Sequence, residues 1–416
     1  MADLSARVGL GEGLTPVGQL RFTQAGSRQF STFAYDPAWI ENPRAFAIQP
    51  DIPLDAGPFH TSGQPGHMHD ALAGVFADAA PDAWGRRLLE RAYGNGLNEF
   101  EYLTLADDAC RQGALRFLND EGEVIRGKAA DAVPRLIDLE ALTAIARAYE
   151  QGKEISPQDM QALAGAGGSG GARPKANIRD GDTLWLAKFT SAHDQQPIER
   201  AEVATLLLAE SCGIRTPTTR LELAETPYPV ALIQRFDRRG AARIPYISAR
   251  TALAKTGAEL GSYTEIVDFM RGNSADAKAD FRELFLRLIF TILVSNKDDH
   301  LKNHGFLYVG GGQWRLSPMF DVNPAPDRNP HLETAIVEGG SHDRSIMLAL
   351  ENSEFFEIAE ADARRMIREA AQRISGNWRE AFRRQGISGA LARDYEPAFV
   401  NEQMEAALAL QAISDA

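Results

Sequence analysis

The sequence lacks the features that mark secreted and membrane-embedded proteins. It contains two cysteines, Cys110 and Cys212, so no disulfide framework is implied. Residues 1–12 lack the basic start and apolar core of a signal peptide. The longest apolar run, Leu284 to Val294, is interrupted by Arg287 and is too short to span a bilayer. We therefore expect a soluble protein of the reducing cytoplasm, with no membrane partner.

Positive charge is also scarce. The 44 Lys and Arg residues are outnumbered by 57 Asp and Glu residues, which gives a formal net charge of −13 at pH 7 with His neutral. This balance argues against a protein that coats nucleic acid over its whole surface, although a local basic patch stays open. With 416 residues, of which 44% are hydrophobic and 24% charged, the chain is long enough for two or three ordinary globular domains.

A polar run from Ser295 to Asn303 carries the clearest chemical signal. It follows residues 280–294, whose apolar side chains recur with helical spacing and predict a helix with one buried face. Asp298 and Asn303 stand in the D-x-x-x-x-N arrangement of a protein-kinase catalytic loop, where the carboxylate meets the attacking hydroxyl and the amide oxygen binds magnesium. Taken singly, each residue fits a solvated loop better, but the combination predicts a phosphotransferase.

A second metal ligand is predicted downstream of the polar run. Residues 305–316 have the composition of two strands around three glycines, so a hairpin is expected to deliver Asp321 beside Asn303. Magnesium prefers oxygen ligands, and one carboxylate and one amide from the protein suffice. His300 and His304 lack the H-E-x-x-H spacing of a zinc site, and we interpret His300 as a residue that orders the loop.

Glycines are concentrated upstream, between residues 165 and 175. Three of them satisfy G-x-G-x-x-G, a match that on its own is explained equally well by a flexible linker. No Gly-Lys-Ser/Thr follows, which argues against a Walker-type loop. Residues 183–189 predict a strand that projects Lys188. A glycine loop followed by a strand lysine is the arrangement with which the N-lobe of a kinase binds ATP phosphates.

The lysine of a kinase is held by a glutamate on the next helix, and Glu202 in the predicted helix 198–212 is our candidate. A glutamate early in a helix is also expected from the helix dipole alone. Two predicted strands, residues 219–223 and 230–234, come next and lead into Arg235-Phe236-Asp237-Arg238, where a kinase hinge presents backbone groups to adenine. The chain is β-rich before this hinge and α-rich after it.

The N-terminal part opens with an antiparallel pair. Residues 17–22 and 29–35 predict two strands joined by a turn at residues 25–27. Farther along, Asp82 and Trp84 predict the start of a helix, with capping and packing as their expected roles.

With these motifs in order, the sequence resembles the HipA family, the serine/threonine kinase toxins of bacterial HipA–HipB toxin–antitoxin systems. The likeness covers nearly the whole chain. It rests on Val17-Gly-Gln-Leu20, Pro81-Asp-Ala-Trp-Gly-Arg-Arg-Leu-Leu89, Gly170-Gly-Ala-Arg-Pro-Lys-Ala176, Arg235 to Arg238, Asn296 to Asn303 and the element at Asp321.

The resemblance implies an α+β, bilobal, protein-kinase-like fold with a β-rich N-lobe, an all-α C-lobe and an N-terminal α/β subdomain. We expect the HipA-like N-terminal subdomain over residues 1–126. The kinase N-lobe with the glycine-rich loop is expected over 127–236. The helical C-lobe with the catalytic and metal-binding loops is expected over 237–416.

The same resemblance implies the roles of single residues. Asp298 would be catalytic and Lys302 would stabilise the transferred phosphoryl group, with Asn303 and Asp321 as magnesium ligands. Family members are often autophosphorylated on a serine that aligns with Gly168 here, and Ser169, displaced by one position, is the candidate acceptor. The implied ATP-binding residues are Gly168, Ser169, Gly170, Gly171, Lys175, Lys188, Glu202, Gln234, Phe236, Asp237 and His300, and Gln234 replaces the usual glutamate.

The activity implied is an ATP- and Mg²⁺-dependent transfer of phosphate to a serine or threonine of a cellular protein, such as an aminoacyl-tRNA synthetase or another translation factor, which arrests growth and favours persistence. A HipB-like helix-turn-helix antitoxin is the implied partner. Through it the protein would bind operator DNA and repress its own operon. Two alternatives stay open, a small-molecule kinase and a non-catalytic nucleotide-binding co-repressor scaffold.

Overall fold

A computed structural model describes residues 2–63, 68–126, 133–167, 171–326 and 331–411. The chain divides into two compact units. The first unit is assembled from residues 1–193, 232–259 and 310–312, and the second from residues 194–231, 260–309 and 313–416. Each unit therefore combines segments that are distant in sequence. The predicted three-part division of the chain stays a prediction.

Strands occur in both units. In the described ranges they are β1 Ala2–Leu10, β2 Thr15–Ala25, β3 Arg28–Tyr35, β4 Phe59–Ser62, β5 Leu115–Leu118, β6 Lys175–Asp180, β7 Thr183–Phe189, β8 Thr219–Glu222, β9 Val230–Gln234, β10 Arg238–Arg239, β11 Ala242–Arg243, β12 Tyr246–Ser248, β13 Gly305–Gly310 and β14 Gln313–Leu316.

Helices occur in both units and dominate the second. The α-helices of the described ranges are α1 Pro37–Ile40, α2 Gly74–Ala79, α3 Ala83–Tyr93, α4 Glu99–Leu105, α5 Leu139–Glu150, α6 Pro157–Ala166, α7 Ile198–Ser211, α8 Ala249–Ala252, α9 Tyr263–Asn273, α10 Ala277–Leu293, α11 Ile346–Glu351, α12 Glu360–Arg384, α13 Gly389–Phe399 and α14 Glu402–Ala409. Short 3₁₀ helices cover Met68–Ala71, Leu136–Asp138, Leu301–Asn303 and Ser353–Phe356.

The first unit opens with a five-stranded antiparallel sheet in the order β4-β3-β2-β1-β5. The two predicted strands are confirmed as β2 and β3, and the turn between them places Gly26 at a φ of +64°. Alternate side chains such as Leu20, Phe22 and Phe33 are buried on one face. The sequence analysis did not anticipate β1.

A second sheet carries the candidate phosphate-binding lysines. Strands β6 and β7 pair antiparallel with Lys175 directly opposite Lys188. Strand β7 also neighbours β9, where the Arg235 backbone N–H donates to the Leu184 carbonyl at 2.9 Å. Strand β7 coincides with the predicted strand 183–189, whereas β6 was missed.

Buried ion pairs hold the segment after β9 within the first unit. The Asp237 carboxylate is 1% exposed and accepts from Arg235 at 2.6 and 2.8 Å, from Arg238 at 2.8 Å and from the Gly113 backbone N–H at 2.7 Å. Burial alone would raise the pKa of Asp237, but the charges of Arg235 and Arg238 outweigh it and hold the pKa well below the usual value. The network therefore keeps Asp237 charged in the native state.

A second buried carboxylate, Asp108, has a similar arrangement of arginines in the same unit. Asp108 accepts from Arg116 at 2.6 Å, from Arg243 at 2.8 Å and from Arg111 at 3.2 Å. Here too burial would raise the pKa of the carboxyl, and the arginines bring it below the ordinary value. Asp108 lies before β5, and Arg243 lies in β11, so this pair also joins distant parts of the first unit.

Helices α10 and α12 confirm the predicted helical half of the chain, and strands β13 and β14 confirm the predicted hairpin. Helix α10 presents a buried apolar face, and α12 runs for 25 residues. Strands β13 and β14 pair with each other around the three glycines. The part of the chain expected to be all-α thus also carries short strands. No helix in the described ranges combines the length and apolarity that crossing a membrane requires.

Removal of the Asp237 carboxylate should strongly destabilise the protein. Asp237→Ala leaves Arg235 and Arg238 buried without their anion, and breaking a buried pair in this way costs about 3–5 kcal/mol. We expect a clearly lower urea midpoint, measured by circular dichroism. Glu380→Ala is the control, since Glu380 is exposed and its pairs with Arg383 and Arg384 are solvated. Equal midpoints for the two variants would contradict the assignment.

Candidate active site

The polar run predicted as a catalytic loop begins where α10 ends in the second unit. Helix α10 ends at Leu293, and Ser295 adopts a positive φ of +58°, which turns the chain away from the helix axis. A 3₁₀ helix over Leu301–Asn303 closes the loop. Gly261 gives Leu301 room, because a Cβ at Gly261 would lie 2.7 Å from a Leu301 methyl group. The end of the loop is thus packed closely against Gly261.

The structure brings together Asp298, His300 and Asn303. Asp298 is exposed, with 65% of its side-chain surface accessible, and its Oδ1 lies 3.5 Å from His300 Nε2. Asn303 Nδ2 donates to the Asp298 backbone carbonyl at 2.7 Å, which leaves its Oδ1 directed elsewhere. Lys302 lies half-buried in the 3₁₀ helix. The arrangement presents a carboxylate and an amide oxygen from one short loop.

Sequence reasoning missed the residue that anchors this loop, Asp299. Its side chain is 2% exposed, and one carboxylate oxygen accepts from the backbone N–H groups of Glu333 at 2.8 Å and Thr334 at 3.4 Å. The other oxygen accepts from the Tyr263 hydroxyl at 3.2 Å, and Thr334 Oγ1 donates to the Asp299 carbonyl at 2.7 Å. Asp299 thereby ties the loop to residues 333–334 and to the start of α9.

Burial alters the protonation of this anchor. It raises the pKa of Asp299 to about 7, because desolvation outweighs the donors from Glu333, Thr334 and Tyr263 that favour the charged form. Burial likewise lowers the pKa of His304 to about 3, so this imidazole is neutral. The His304 ring packs edge-on against Tyr263 at 5.3 Å. His304 is therefore a packed loop residue in the structure.

The segment that carries Asp321 runs beside the start of the loop. Asn296 and Pro324 form an antiparallel bridge, and the Ala325 N–H donates to the Ser295 carbonyl at 3.2 Å. Asp321 itself has a φ of +56°, a strained conformation of the kind found at functional sites. The structure thus places the Asp321 segment against residues 295–296, while the approach of Asp321 to Asn303 stays a prediction.

The donor atoms of this region fit a magnesium ion. Asn323 Nδ2 lies 3.5 Å from Asp321 Oδ1, and Asn323 Oδ1 is a buried oxygen for which no hydrogen-bond partner occurs among the described residues. Asp321, Asn303 and Asn323 together offer carboxylate and amide oxygens, the ligands that magnesium prefers. The metal-binding roles of Asn303 and Asp321 remain predictions.

In the first unit, two buried lysines form a potential phosphate site. Lys175 and Lys188 are directly paired across β6 and β7 and are 3% and 6% exposed. Two neighbouring ammonium groups are donors of the kind that bind phosphate oxygens. Gly171 has a φ of +99°, and a side chain there would collide with Lys175 Nζ. These residues fit the triphosphate of a nucleotide, and Gly168, Ser169 and Gly170 lie outside the described residues.

The remaining predicted site residues lie on both units. Gln234 ends β9, and the Phe236 ring lies 6.2 Å from the Tyr246 ring in the first unit. The Asp237 carboxylate is occupied by its two arginines, so any nucleotide contact there is left to the backbone. Glu202 is buried near the start of α7 in the second unit. The Lys188–Glu202 pairing stays a prediction.

Comparison with protein families identifies both parts of the chain. Residues 8–117 match the HipA N-terminal domain, and residues 167–378 match the HipA-like C-terminal domain. The second match covers most of the glycine-rich segment, strands β6 and β7, and the loop predicted to be catalytic.

Individual relatives agree with these matches. HipA in the complex of HipA, HipB and operator DNA from Shewanella oneidensis superposes with a TM-score of 0.70 at 15% identity, over 96% of this chain and 97% of that one. The kinase-named protein Y4mE of Sinorhizobium fredii is 24% identical over 73% of this chain and 75% of its own length. A kinase-named protein of Haemophilus influenzae is 35% identical, but this match spans 16% of this chain and 20% of that protein.

The fold is therefore the α+β, kinase-like, bilobal fold that the sequence predicted. The chain belongs to the HipA family. The family match and the kinase-named relatives support a HipA-like kinase.

The protonation of Asp299 makes the stability of the protein depend on pH. With a native pKa near 7 and an ordinary value of 3.8, the native state retains a proton that the unfolded state has lost between these values. The free energy of unfolding should therefore fall as the pH rises from about 4 to about 7. Asp299→Asn should remove this part of the decline, as measured by urea midpoints across that range. Asp268→Asn, at an exposed position, is the control, and parallel curves for Asp299→Asn and wild type would refute the prediction.

Proposed function

We propose that the protein is an ATP- and Mg²⁺-dependent serine/threonine protein kinase and the toxin of a HipA–HipB-like module. The observation that carries this proposal is the loop of Asp298 and Asn303. There Asn303 Nδ2 donates to the backbone carbonyl of Asp298, whose carboxylate is exposed, and buried Asp299 anchors the backbone between them. This is the arrangement that phosphoryl transfer to a hydroxyl requires.

The chemistry assigned to the chain is a simple displacement. Asp298 orients the hydroxyl of the acceptor and takes its proton as the hydroxyl oxygen bonds to the γ-phosphorus of ATP. The bond between that phosphorus and the bridging oxygen breaks, and ADP leaves. Lys188 and Lys175 hold the phosphates of the nucleotide, with Glu202 assigned to orient Lys188. Lys302, next to Asn303, stabilises charge on the transferred group.

A bound magnesium ion would neutralise part of the negative charge of the ATP phosphates. Asn303 and Asp321 are the residues assigned to hold it, and the buried Asn323 Oδ1 supports an oxygen-lined position at this place. Gln234 and Phe236 are assigned to adenine through their backbone groups, since Gln234 ends β9 and Phe236 lies two residues beyond it.

The partners are proposed by family membership. The Shewanella oneidensis relative was solved with HipB and operator DNA, and this supports a small DNA-binding antitoxin for the present chain. Through such a partner the protein would act as a co-repressor of its own operon. A cellular protein with a serine or threonine acceptor, such as an aminoacyl-tRNA synthetase, is the proposed substrate, and Ser169 is the candidate site of autophosphorylation.

Replacement of Asp298 should separate chemistry from binding. Asp298→Ala should lower phosphoryl transfer at least about 10²-fold, the scale of a lost general base, and leave ATP binding intact. Lys188→Ala should weaken both binding and transfer. Phosphoryl transfer is measured by intact mass before and after incubation with ATP and Mg²⁺ and by labelling of proteins in a cell extract. ATP binding is measured by nucleotide titration.

Asp268→Ala is the matched control, because Asp268 is an exposed aspartate paired with Arg271 in the same unit. Retained transfer in Asp298→Ala would reject the catalytic assignment. Phosphorylation of a metabolite without any labelled protein would instead identify a small-molecule kinase. Nucleotide binding with no transfer to any acceptor would identify a scaffold.

A further inference from the structure

The stretch Pro81 to Leu89 has no part in the chemistry proposed above, yet it contacts the glycine loop. It forms the beginning of α3 in the N-terminal part of the first unit. The glycine loop belongs to the same unit, so these contacts are internal to one compact body. Helix α3 therefore lies where it can influence the conformation of the loop.

Asp82 stands at the N-cap position of α3 but does not cap its own helix. Its side chain makes no capping hydrogen bond to the first turn, although aspartate is among the residues that best supply one. Instead, Asp82 Oδ2 accepts from the backbone N–H of Gly171 at 2.7 Å, 89 residues away. The protein thus forgoes a local stabilising bond and uses this carboxylate on the glycine loop.

Trp84 adds two further contacts to the same end of the loop. Its backbone N–H donates to the Gly171 carbonyl at 3.3 Å, and its indole Nε1–H donates to the Lys175 carbonyl at 2.9 Å. Trp84 is buried, and its ring packs edge-on against Tyr149 at 5.4 Å. Arg87 Nη2 donates to the Ala172 carbonyl at 2.9 Å. Residues 171–175 are therefore bonded to α3 through their backbone.

The other end of the loop meets the same helix. A side chain on Gly85 would collide with the Gly167 carbonyl, so the backbones of α3 and of the loop approach as closely as glycine allows. A Cβ at Gly167 would in turn lie 2.9 Å from a Leu88 methyl group. Helix α3 thus contacts Gly167 as well as residues 171–175.

Helix α3 is itself held firmly. Arg86 donates to the two carboxylate oxygens of Glu99 at 2.7 Å each, and its Nε donates to the Pro81 carbonyl at 2.8 Å. Glu99 is buried at the start of α4, so this bidentate pair is shielded from water. A fixed helix can impose a fixed geometry on the residues that it holds.

We propose that the first turn of α3 positions the nucleotide loop, with Asp82 and Trp84 as positioning residues. The inference rests on the proposed function, since it takes residues 167–175 as the phosphate-binding loop. Neither side chain contacts the phosphates; both fix backbone atoms of Gly171 and Lys175. Because Lys175 lies opposite Lys188, a displaced Lys175 would alter the charge that the phosphates meet.

The test compares Asp82→Ala and Trp84→Phe with wild type. Both should raise the KM for ATP roughly tenfold while kcat changes less than about threefold, as expected for lost binding geometry and intact chemistry. Amide hydrogen exchange of a peptide spanning residues 171–175 should be faster in both variants, without any nucleotide present. Asp82→Asn, which keeps an acceptor oxygen, should restore most of the wild-type KM.

Two substitutions in α1 serve as matched controls. Asp36 caps its own helix through Ala38 N–H at 2.8 Å, and Trp39 Nε1 donates to the Phe46 carbonyl at 3.4 Å. Asp36→Ala and Trp39→Phe therefore remove the same kinds of bonds elsewhere in the first unit. Exchange in residues 171–175 and the KM for ATP should match wild type in both controls.

The outcomes separate this inference from the proposed function. Absence of ATP binding by wild type would reject the proposed function, while faster exchange in Asp82→Ala would still support the contact between α3 and the loop. Unchanged exchange and unchanged KM in Asp82→Ala and Trp84→Phe would overturn the inference. A lower KM in Asp82→Ala would also overturn it, because the carboxylate would then compete with phosphate for the loop.

Discussion

The ion pair between Asp237 and Arg235 is the interaction on which the first unit depends. Arg235 also donates to Asn177 Oδ1 at 2.7 Å, and Asn177 Nδ2 donates to the Ala166 carbonyl at 3.0 Å. Ala166 ends α6, directly before the glycine loop. One buried arginine therefore connects the segment assigned to adenine with the stem of the loop assigned to phosphate. Burial of a charge is costly, and removal of one partner from a buried pair is strongly destabilising because it leaves the other charge uncompensated.

In the second unit, too, a buried carboxylate connects separate segments of the chain. Asp299 is satisfied mainly by backbone N–H groups and a tyrosine hydroxyl rather than by arginines. The donors to Asp299 are neutral, whereas the donors to Asp237 are mostly charged arginines. The neighbouring residue, Asp298, is exposed. Buried Asp299 thus holds the shape of the loop, and its exposed neighbour Asp298 is the residue proposed for the chemistry.

The features that could be predicted from the sequence were those marked by a regular spacing of apolar residues or by a short sequence motif. Helix α10 and strand β7 were predicted from the spacing of their residues, and D-x-x-x-x-N marked the loop whose catalytic role stays a prediction. Strand β6 was missed because Lys175 and Asn177 look solvent-exposed in sequence, although both are buried in the sheet. The partners of Asp299 lie 34 to 36 residues away, and the partner of Asp82 lies 89 residues away. A single sequence carries no signal for contacts at such separations.

The contacts between α3 and the glycine loop also bear on how the two family domains are inherited. The residues matched by the N-terminal domain, 8–117, and those that begin the C-terminal domain, from 167 onward, share one compact unit. Asp82 and Gly113 each supply a partner to residues beyond the boundary. Recombination that exchanged one domain for a distant homologue would have to preserve both sides of these bonds, so the two domains should diverge as a linked pair.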